Sequence, residues 1–266
     1  MKILCPTDFS EHSGIALEYA MNLANELGAE IHVLSVYLVS KSSSTLISME
    51  DIVRENHEED MQKLIAGMGS LVRNDNLPIT KIMKGNTVNA ILKYAKNFEI
   101  DLIVMGTQGG NSLRTILLGS TTKKLAGKTS IPILAIPETV KHKLTNNKIV
   151  LALDNKVLDK AEVFKVPLMF AKFLSQKIDI LHVENEDEMI PFDPFISEYL
   201  GDIMGEVIIE KGEDTITTIK KYAEEQNIGM LIMVRREKSF LQKLLTVGNT
   251  AAELAKTNIP LMVLPE

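Results

Sequence analysis

The sequence lacks the features that define several classes of protein. Its 266 residues include one cysteine, Cys5, no tryptophan and 5% aromatic residues. A single cysteine cannot close an internal disulfide, and no Cys/His cluster has the spacing of a zinc site. No apolar run reaches the roughly 18 residues that span a bilayer, and the opening MKILCPTDFS runs directly into charged residues. We therefore expect a cytoplasmic protein that has no metal site and does not bind to membranes.

An excess of basic charge is also missing. The 29 Lys and Arg residues are outnumbered by 35 Asp and Glu residues, which gives a net charge of −6 and a pI near 5.5. Such a chain has no cationic field that would attract a phosphate backbone. We expect no nucleic-acid partner. The sequence also has no G-x4-G-K-[ST] loop and no G-x-S-x-G nucleophile motif, so we assign no catalytic residue.

What the sequence does contain is an internal repeat. Residues 2–8 (KILCPTD) resemble residues 148–154 (KIVLALD), and residues 129–132 (TSIP) resemble residues 257–260 (TNIP). The offset is 146 residues at the first pair but 127 at the pair Gly85 and Gly212, so the first half carries 19 more residues. Most of this excess lies in residues 38–70.

The stretch 139–147 is polar, has no apolar periodicity and lies where the repeat restarts, so it is predicted to be a linker. The sequence then divides into two domains, residues 1–138 and 148–266, each close to the usual size of a domain.

Short apolar runs alternate with helical patterns in both halves. The first helix is predicted to begin after Ser10 as its N-cap and to stop at Gly28, and further helices are expected at 49–72, 87–98 and 120–126. This alternation predicts an α/β fold of two similar doubly wound domains, each with a five-stranded parallel sheet flanked by helices. The predicted strands are 2–7, 30–37, 80–83, 102–105 and 133–136 in the first half, and 148–153, 179–183, 207–210, 230–234 and 261–264 in the second.

Ligands of open parallel sheets bind beyond the carboxyl ends of the strands, where the strand order reverses. The loops after the first and fourth strands are therefore the candidate site. The first loop offers Asp8 beside a helix start, where it can accept hydrogen bonds from a ribose or coordinate a metal ion. The fourth contains glycines followed by Gly-Ser-Thr at a helix start, an arrangement that suits phosphate. Local chemistry leaves open the alternative that Gly106, Gly109 and Gly110 form a turn and Ser120 only caps the helix.

The spacing G-x2-G-x9-G-[ST], filled by Gly106, Gly109, Gly119 and Ser120, resembles the nucleotide motif of the universal stress protein family. The opening Pro-Thr-Asp-Phe-Ser at 6–10 and the closing Ile-Pro-Ile-Leu at 131–134 resemble the same family. Three elements in one order are a more specific signal than a lone glycine-rich loop. The chain therefore resembles a tandem universal stress protein, which implies an adenine nucleotide alpha hydrolase-like fold.

This resemblance implies that the first domain binds ATP, with or without magnesium. Thr7 and Asp8 would contact the nucleoside, Val36 the adenine, and the glycine loop the triphosphate. Gln108 departs from the family, where many members have histidine. Any ATP hydrolysis should be weak, and no metal ligand is assigned. The implied nucleotide-binding residues are Pro6, Thr7, Asp8, Val36, Met105, Gly106, Gly109, Gly119, Ser120 and Thr121.

The family pairs its domains through their last strands, so strand 133–136 is expected to meet strand 261–264 in an intramolecular pseudo-dimer; a further homodimer is left open.

In the second half, residues 234–238 replace the glycine loop with Val-Arg-Arg-Glu-Lys, although Gly-Asn-Thr at 248–250 still matches the helix start. We expect the second domain not to bind ATP in this manner. Arg235, Arg236 and Lys238 are interpreted as a charged surface loop rather than an anion site.

Three other residues have a functional and a structural interpretation, and we favour the structural one. Cys5 is expected to be a buried thiol, His57 to lie on a solvated acidic helix face, and His182 to be a histidine whose hydrogen bonds are satisfied.

From the family resemblance, the protein is predicted to be an ATP-binding regulatory protein of the stress response with an unknown protein partner. The alternative is a nucleotide-independent scaffold, or a binder of another small ligand through residues 190–205 of the second domain.

Overall fold

The structure is a computed structural model that describes residues 1–39, 46–73, 75–109, 116–117, 119–140, 148–154, 161–184, 195–235 and 259–265. Some predictions concern residues outside these ranges, namely Gly110, Arg236, Lys238 and the segments 141–147, 190–194 and 248–250.

All ten predicted strands are present, with ends that differ from the prediction by at most three residues. The strands are β1 (Lys2–Thr7), β2 (Glu30–Tyr37), β3 (Ile79–Lys84), β4 (Leu102–Gly106), β5 (Gln108–Gly109), β6 (Ile116–Leu117), β7 (Ile133–Ile136), β8 (Ile149–Leu153), β9 (Ile178–Glu184), β10 (Met204–Lys211), β11 (Met230–Val234) and β12 (Leu261–Leu264). The helices are α1 (Glu11–Leu27), α2 (Leu46–Gly67), α3 (Thr87–Asn97), α4 (Ser120–Ala126), α5 (Lys165–Phe173), α6 (Phe195–Leu200) and α7 (Thr215–Glu225), with 3₁₀ turns at Ala161–Phe164 and Gly201–Ile203.

The two halves have the same strand order. In the main sheet the first half is arranged β3-β2-β1-β4-β7 and the second β10-β9-β8-β11-β12, and neighbouring strands of this sheet within a half are parallel. The halves join through β7 and β12, which pair antiparallel with Leu134 opposite Met262. The pairing expected between the two last strands is therefore present, and it makes one ten-stranded sheet.

Local capping explains where α1 begins and ends. The Ser10 side chain accepts a hydrogen bond from the Ser13 N–H at the first turn, as an N-cap should. At the other end Gly28 adopts a left-handed conformation, with φ 61°, which a glycine tolerates without steric cost. Both predicted ends of this helix are confirmed.

Two apolar layers cover the sheet, one on each face. Side chains alternate along β1, so that Ile3 and Cys5 point to the layer that contains α1, α2, α5 and α6. Leu4 points to the opposite layer, which contains α3, α4 and α7. Each layer includes residues from both halves, so the core continues across the seam between β7 and β12. The seam is therefore part of one continuous core.

Helix α2 accounts for much of the extra length of the first half. This helix covers 22 residues, whereas α6 at the corresponding place in the second half covers six. Ile82 of β3 packs against the core on the face that α2 covers. Ile209 has the equivalent register position in β10 but is 56% exposed.

Among the helices of the described ranges, none is long and apolar enough to cross a membrane.

Candidate functional site

A cavity of about 380 Å³ opens at the carboxyl ends of β1 and β4. In the sheet, β1 lies between β2 and β4, so this is the point where the chain connections diverge and where a doubly wound fold leaves a crevice. Nine of the ten predicted residues line it: Pro6, Thr7, Asp8, Val36, Met105, Gly106, Gly119, Ser120 and Thr121. The tenth, Gly109, lies in β5 and pairs with Ile116 of β6.

The short antiparallel pair of β5 and β6 was not predicted. Gln108 lies opposite Leu117 in this pair, which brings the start and the end of the glycine loop together. Two-residue strands carry no usable apolar alternation, so their pairing depends on contacts across the loop.

Asp8 lies at the rim of the cavity and is held by its neighbours. Its Oδ1 atom accepts hydrogen bonds from the Ser10 N–H at 3.1 Å and from the Ser10 hydroxyl. Partial burial acts to raise the pKa of the Asp8 carboxyl, but hydrogen bonds from Ser10 and Ser13 outweigh it and hold this pKa below its usual value. Asp8 is therefore an ionised acceptor at neutral pH, suited to hydroxyl or amine donors of a ligand.

Hydroxyl groups shape the loop that carries Asp8. The hydroxyls of Thr7 and Ser13 lie 3.0 Å apart, and Thr7 Oγ1 accepts from the Phe9 N–H at 3.0 Å. Phe9 takes a left-handed conformation with φ 62°, which is uncommon for a residue with a large side chain. The loop therefore depends on its own side chains for its shape.

The opposite part of the cavity is apolar. Leu34 and Val36 of β2, Ile91 of α3 and Met105 of β4 line it. Binding sites for flat organic groups combine such a wall with a few polar groups that fix orientation. Hydrogen-bond donors lie where the start of α4 borders the cavity. Gly119 caps this helix without a side-chain hydrogen bond, and the hydroxyls of Ser120 and Thr121 follow it.

Gly106 has a packing role that the motif alone did not indicate. A Cβ atom built on this residue would lie 2.5 Å from the carbonyl oxygen of His12 and 2.9 Å from its carbonyl carbon. Only a residue without a side chain lets the first turn of α1 approach the end of β4 so closely.

His12 is a cavity residue that the sequence analysis missed. It lies in the first turn of α1 and lines the cavity together with Asp8 and Ser10. Its Nδ1 atom is 3.6 Å from Oε2 of Glu138, which follows β7. The available signal was its position two residues after the N-cap, which places it in the turn that borders the candidate loop.

The three residues with structural interpretations have different outcomes. Cys5 is fully buried, and burial raises the pKa of its thiol to about 12, in agreement with a structural thiol. His182 is satisfied, since its Nδ1 atom lies 3.1 Å from the carbonyl oxygen of Leu153. The interpretation of His57 as part of a solvated face is wrong. Its ring is half-buried between Phe9 and Tyr37, and its Nδ1 atom lies 2.9 Å from the Ser35 hydroxyl.

The described part of the second half differs from the expected surface loop. Arg235 is partly buried, and its guanidinium donates to the carbonyl oxygen of Ala126 in the first half. It therefore connects the halves rather than forming a free charged surface. In the segment proposed for another ligand, Ile196 and Leu200 are buried in the core. Helix α6 thus turns these two side chains into the core and contacts the 3₁₀ turns of its own half.

Fold and cleft together define the class of this protein: a tandem, doubly wound α/β protein with a ligand-sized cleft at the switch point of its first half. Residues 1–137 match the universal stress protein family, and the chain belongs to that family.

Related proteins agree with this assignment. Two universal stress proteins of Methanocaldococcus jannaschii are similar to about half of this chain. One is 31% identical over 144 residues, which is 53% of this chain and 84% of that protein. The other is 29% identical over 157 residues, which is 51% of this chain and 93% of that protein. A crystal structure of a universal stress protein from Archaeoglobus fulgidus has a TM-score of 0.77 at 22% identity and covers 99% of this chain and 98% of that one, so the two share a fold.

Proposed function

We propose that the first half binds an adenine nucleotide, with ATP as the primary candidate, and that the bound state regulates contact with a protein partner during the cytoplasmic stress response. The proposal rests on one observation: nine of the ten residues that the family resemblance implies line the same cavity. The apolar wall at Val36 suits the base, and Asp8 suits the ribose hydroxyls. Ser120 and Thr121 supply donors for phosphate oxygens.

The regulatory step would come from the loop between β4 and α4. A ligand shifts a conformational equilibrium only as far as it binds one state better than the other. Contacts to Gly119 and Ser120 at one end of this loop and to Gly106 at the other would give a bound nucleotide such a preference. Limited proteolysis with and without saturating ATP measures it, and equal cleavage rates in the loop would contradict the regulatory step.

The ligand itself is tested by analysing what purified protein retains. Freshly purified protein is denatured, and the supernatant is analysed by mass spectrometry for nucleotide per chain. Titration calorimetry with ATP and with cAMP then follows; cAMP is included because one solved universal stress protein is a complex with it. We expect about one adenine nucleotide per chain, since the second half lacks the glycine loop.

A matched pair of variants locates the site. Asp8→Asn removes the charge at the rim of the cavity, and Asp154→Asn makes the same change at the repeated position of the second half. We expect Asp8→Asn to weaken ATP binding roughly tenfold or more, as the loss of a hydrogen bond to a charged group should. Asp154→Asn should bind like the unaltered protein. If no nucleotide is retained and neither added ligand binds, the nucleotide-independent scaffold becomes the better account.

The division into domains 1–138 and 148–266, with a pseudo-dimer formed inside one chain, is likewise proposed. Its support is the shared strand order of the two halves and the antiparallel seam between β7 and β12.

A further inference from the structure

The cavity has very little positive charge for an anionic ligand. Among its described lining residues there is no Lys and no Arg, and the one carboxylate is that of Asp8. His12 is the one described lining residue whose side chain can become a cation. A nucleotide carries several negative charges, and burying a charge without compensation is costly. The source of that compensation is therefore a specific question for this cavity.

The two ring nitrogens of His12 have different surroundings. Nδ1 is covered, and within the described part of the chain it has no hydrogen-bond partner. The nearest acidic oxygen, Oε2 of Glu138, lies at 3.6 Å, which is too long for a hydrogen bond but within the range of an ion pair. The side chain as a whole is 28% exposed, so its accessible part lies on the other ring atoms. Nε2 is thus the nitrogen that remains for a ligand.

The backbone under His12 is also constrained. Its carbonyl group packs against Gly106, so the first turn of α1 is held at the end of β4, where the glycine loop begins. The ring therefore borders the part of the cavity that leads to Gly119 and Ser120, on the opposite side of β1 from Val36. This is the side expected to hold phosphate rather than the base.

We propose that His12 is a ligand-binding residue of this cavity, positioned by Glu138 at Nδ1, and that its imidazolium form donates from Nε2 to a phosphate group of the bound nucleotide. This inference rests on the proposed nucleotide function and names a residue outside the family motif. In this form the ring faces the Glu138 carboxylate as an ion pair at Nδ1 and donates a hydrogen bond from Nε2 to the phosphate, and hydrogen bonds between ionised groups are the stronger kind.

Nucleotide affinity should therefore depend on pH. The titratable groups close to His12 on the surrounding elements are Asp8 before α1, Glu11 in the same turn, the buried Cys5 of β1, Glu138 beyond β7, Tyr37 at the end of β2 and His57 of α2. The His57 ring packs against Phe9 and Tyr37. β4 and β7 contribute none. Histidine changes charge between about pH 5 and pH 8. Affinity should rise as the pH falls through that range, because the imidazolium form adds a positive charge.

The test is titration calorimetry with ATP at about pH 6 and about pH 8. Four proteins are compared: the unaltered protein, His12→Gln, His12→Lys and, as a control in the second half, His182→Gln. We expect the unaltered protein and His182→Gln to bind several-fold more tightly at the lower pH. His12→Gln should bind weakly with a flatter pH dependence, while His12→Lys, which stays charged, should restore tight binding at the higher pH. Comparison with His12→Gln removes the contribution of the phosphate's own titration.

Glu138→Gln separates positioning from direct binding. It should weaken binding less than His12→Gln does and reduce the difference between the two pH values. A second readout needs no variant: the ¹⁵N resonance of His12 Nε2 should shift when ATP is added. Unchanged affinity and pH dependence in His12→Gln, or an unmoved resonance with ATP bound, would overturn the inference and leave the nucleotide function intact. Failure of the unaltered protein to bind any nucleotide would overturn both.

Discussion

The carbonyl oxygen of His12 occupies the place where residue 106 would otherwise carry a side chain, 2.5 Å from a Cβ atom built on Gly106. This contact joins the first turn of α1 to the end of β4. Since α1 begins directly after the loop that contains Asp8, the same contact sets the distance between the two loops of the cavity. The first glycine of the motif therefore has a structural reason to be glycine, whatever the ligand.

The substitution Gly106→Ala should destabilise the protein. The new methyl group would meet backbone atoms of α1, which cannot rotate away, and overpacking of this kind costs about 1 to 3 kcal/mol. Urea unfolding followed by circular dichroism measures the change. Gly14→Ala is the matched control, because Gly14 lies in α1 with no atom within 4 Å of an added Cβ. It should stabilise the protein by about 0.5 to 1 kcal/mol; equal stabilities for the two variants would contradict this account of Gly106.

His57 should connect α2 to the candidate loop. Its ring packs edge-on against Phe9, with centroids 5.4 Å apart, and its Nδ1 atom lies 2.9 Å from the Ser35 hydroxyl. His57→Ala would remove both contacts, and we expect a loss of about 1 to 2 kcal/mol of stability. Thermal unfolding measures it. Glu58→Ala changes an exposed neighbour on the same helix and should be nearly neutral; a loss as large in Glu58→Ala would show that the effect belongs to the helix.

Acid should weaken the contact between the halves at Asp101. One carboxyl oxygen accepts from Lys165 of α5 at 2.9 Å, and the other from the Lys2 N–H at 2.9 Å. Partial burial acts to raise the pKa of Asp101, but these hydrogen bonds and the nearby positive charges lower it below its usual value. The folded pKa thus lies below that of the unfolded chain, about 3.9.

A carboxyl group with a depressed folded pKa stabilises the protein above its unfolded pKa, and this stability is lost as the pH falls through the folded pKa. Asp101→Asn should therefore lower stability at neutral pH and flatten the decline of stability below about pH 4. Unfolding in urea across this range measures both effects. Asp202→Asn, an exposed position, serves as the control. An unchanged acid profile in Asp101→Asn would mean that this carboxyl does not contribute to the pH dependence.

A fragment of residues 1–138 should associate with itself. In the full chain the buried residues Ile133 and Leu134 of β7 lie opposite β12. Removal of the second half exposes this edge of β7. An unpaired apolar edge strand is a template for another chain. Light scattering should therefore give twice the fragment's mass, whereas the full chain should not show this association through β7. A fragment that stays monomeric with an unchanged melting temperature would contradict the proposed seam.

The strand pattern and the caps could be predicted because their signals are local. The alternation of Ile3, Leu4 and Cys5 between the two layers follows from the period of a strand, and Ser10 and Gly28 act on the backbone of their own helix. The meeting of β7 and β12 was expected from the family resemblance, since an edge strand does not specify its partner by its own composition. Their antiparallel orientation is a finding of the structure.

His57 was interpreted wrongly from sequence and His12 was not singled out, and both cases share a reason. The charged neighbours of His57 suggest a solvated helix face, and His12 has only its place near the N-cap as a local signal, whereas each of the two contacts a residue far away in the sequence. His12 approaches Glu138, and His57 approaches Phe9 and Ser35. The direction of a helix face depends on how the helix packs against the sheet, which periodicity alone does not specify when the polar and apolar faces are poorly separated.

The sequence by itself determined the repeat, the ten strands, the ends of α1 and the two loops at the switch point, because periodicity, capping and the order of strands and helices act over short distances or through chain connectivity. The individual residues expected at the cavity were implied by the resemblance to the family. Only the tertiary structure decided that both core layers continue across the seam and that Arg235 reaches Ala126 of the first half. It also decided that Gly106 makes room for α1 and that His12 enters the cavity. These features depend on close packing between elements that are distant in the chain, and packing of this kind is a property of the assembled core.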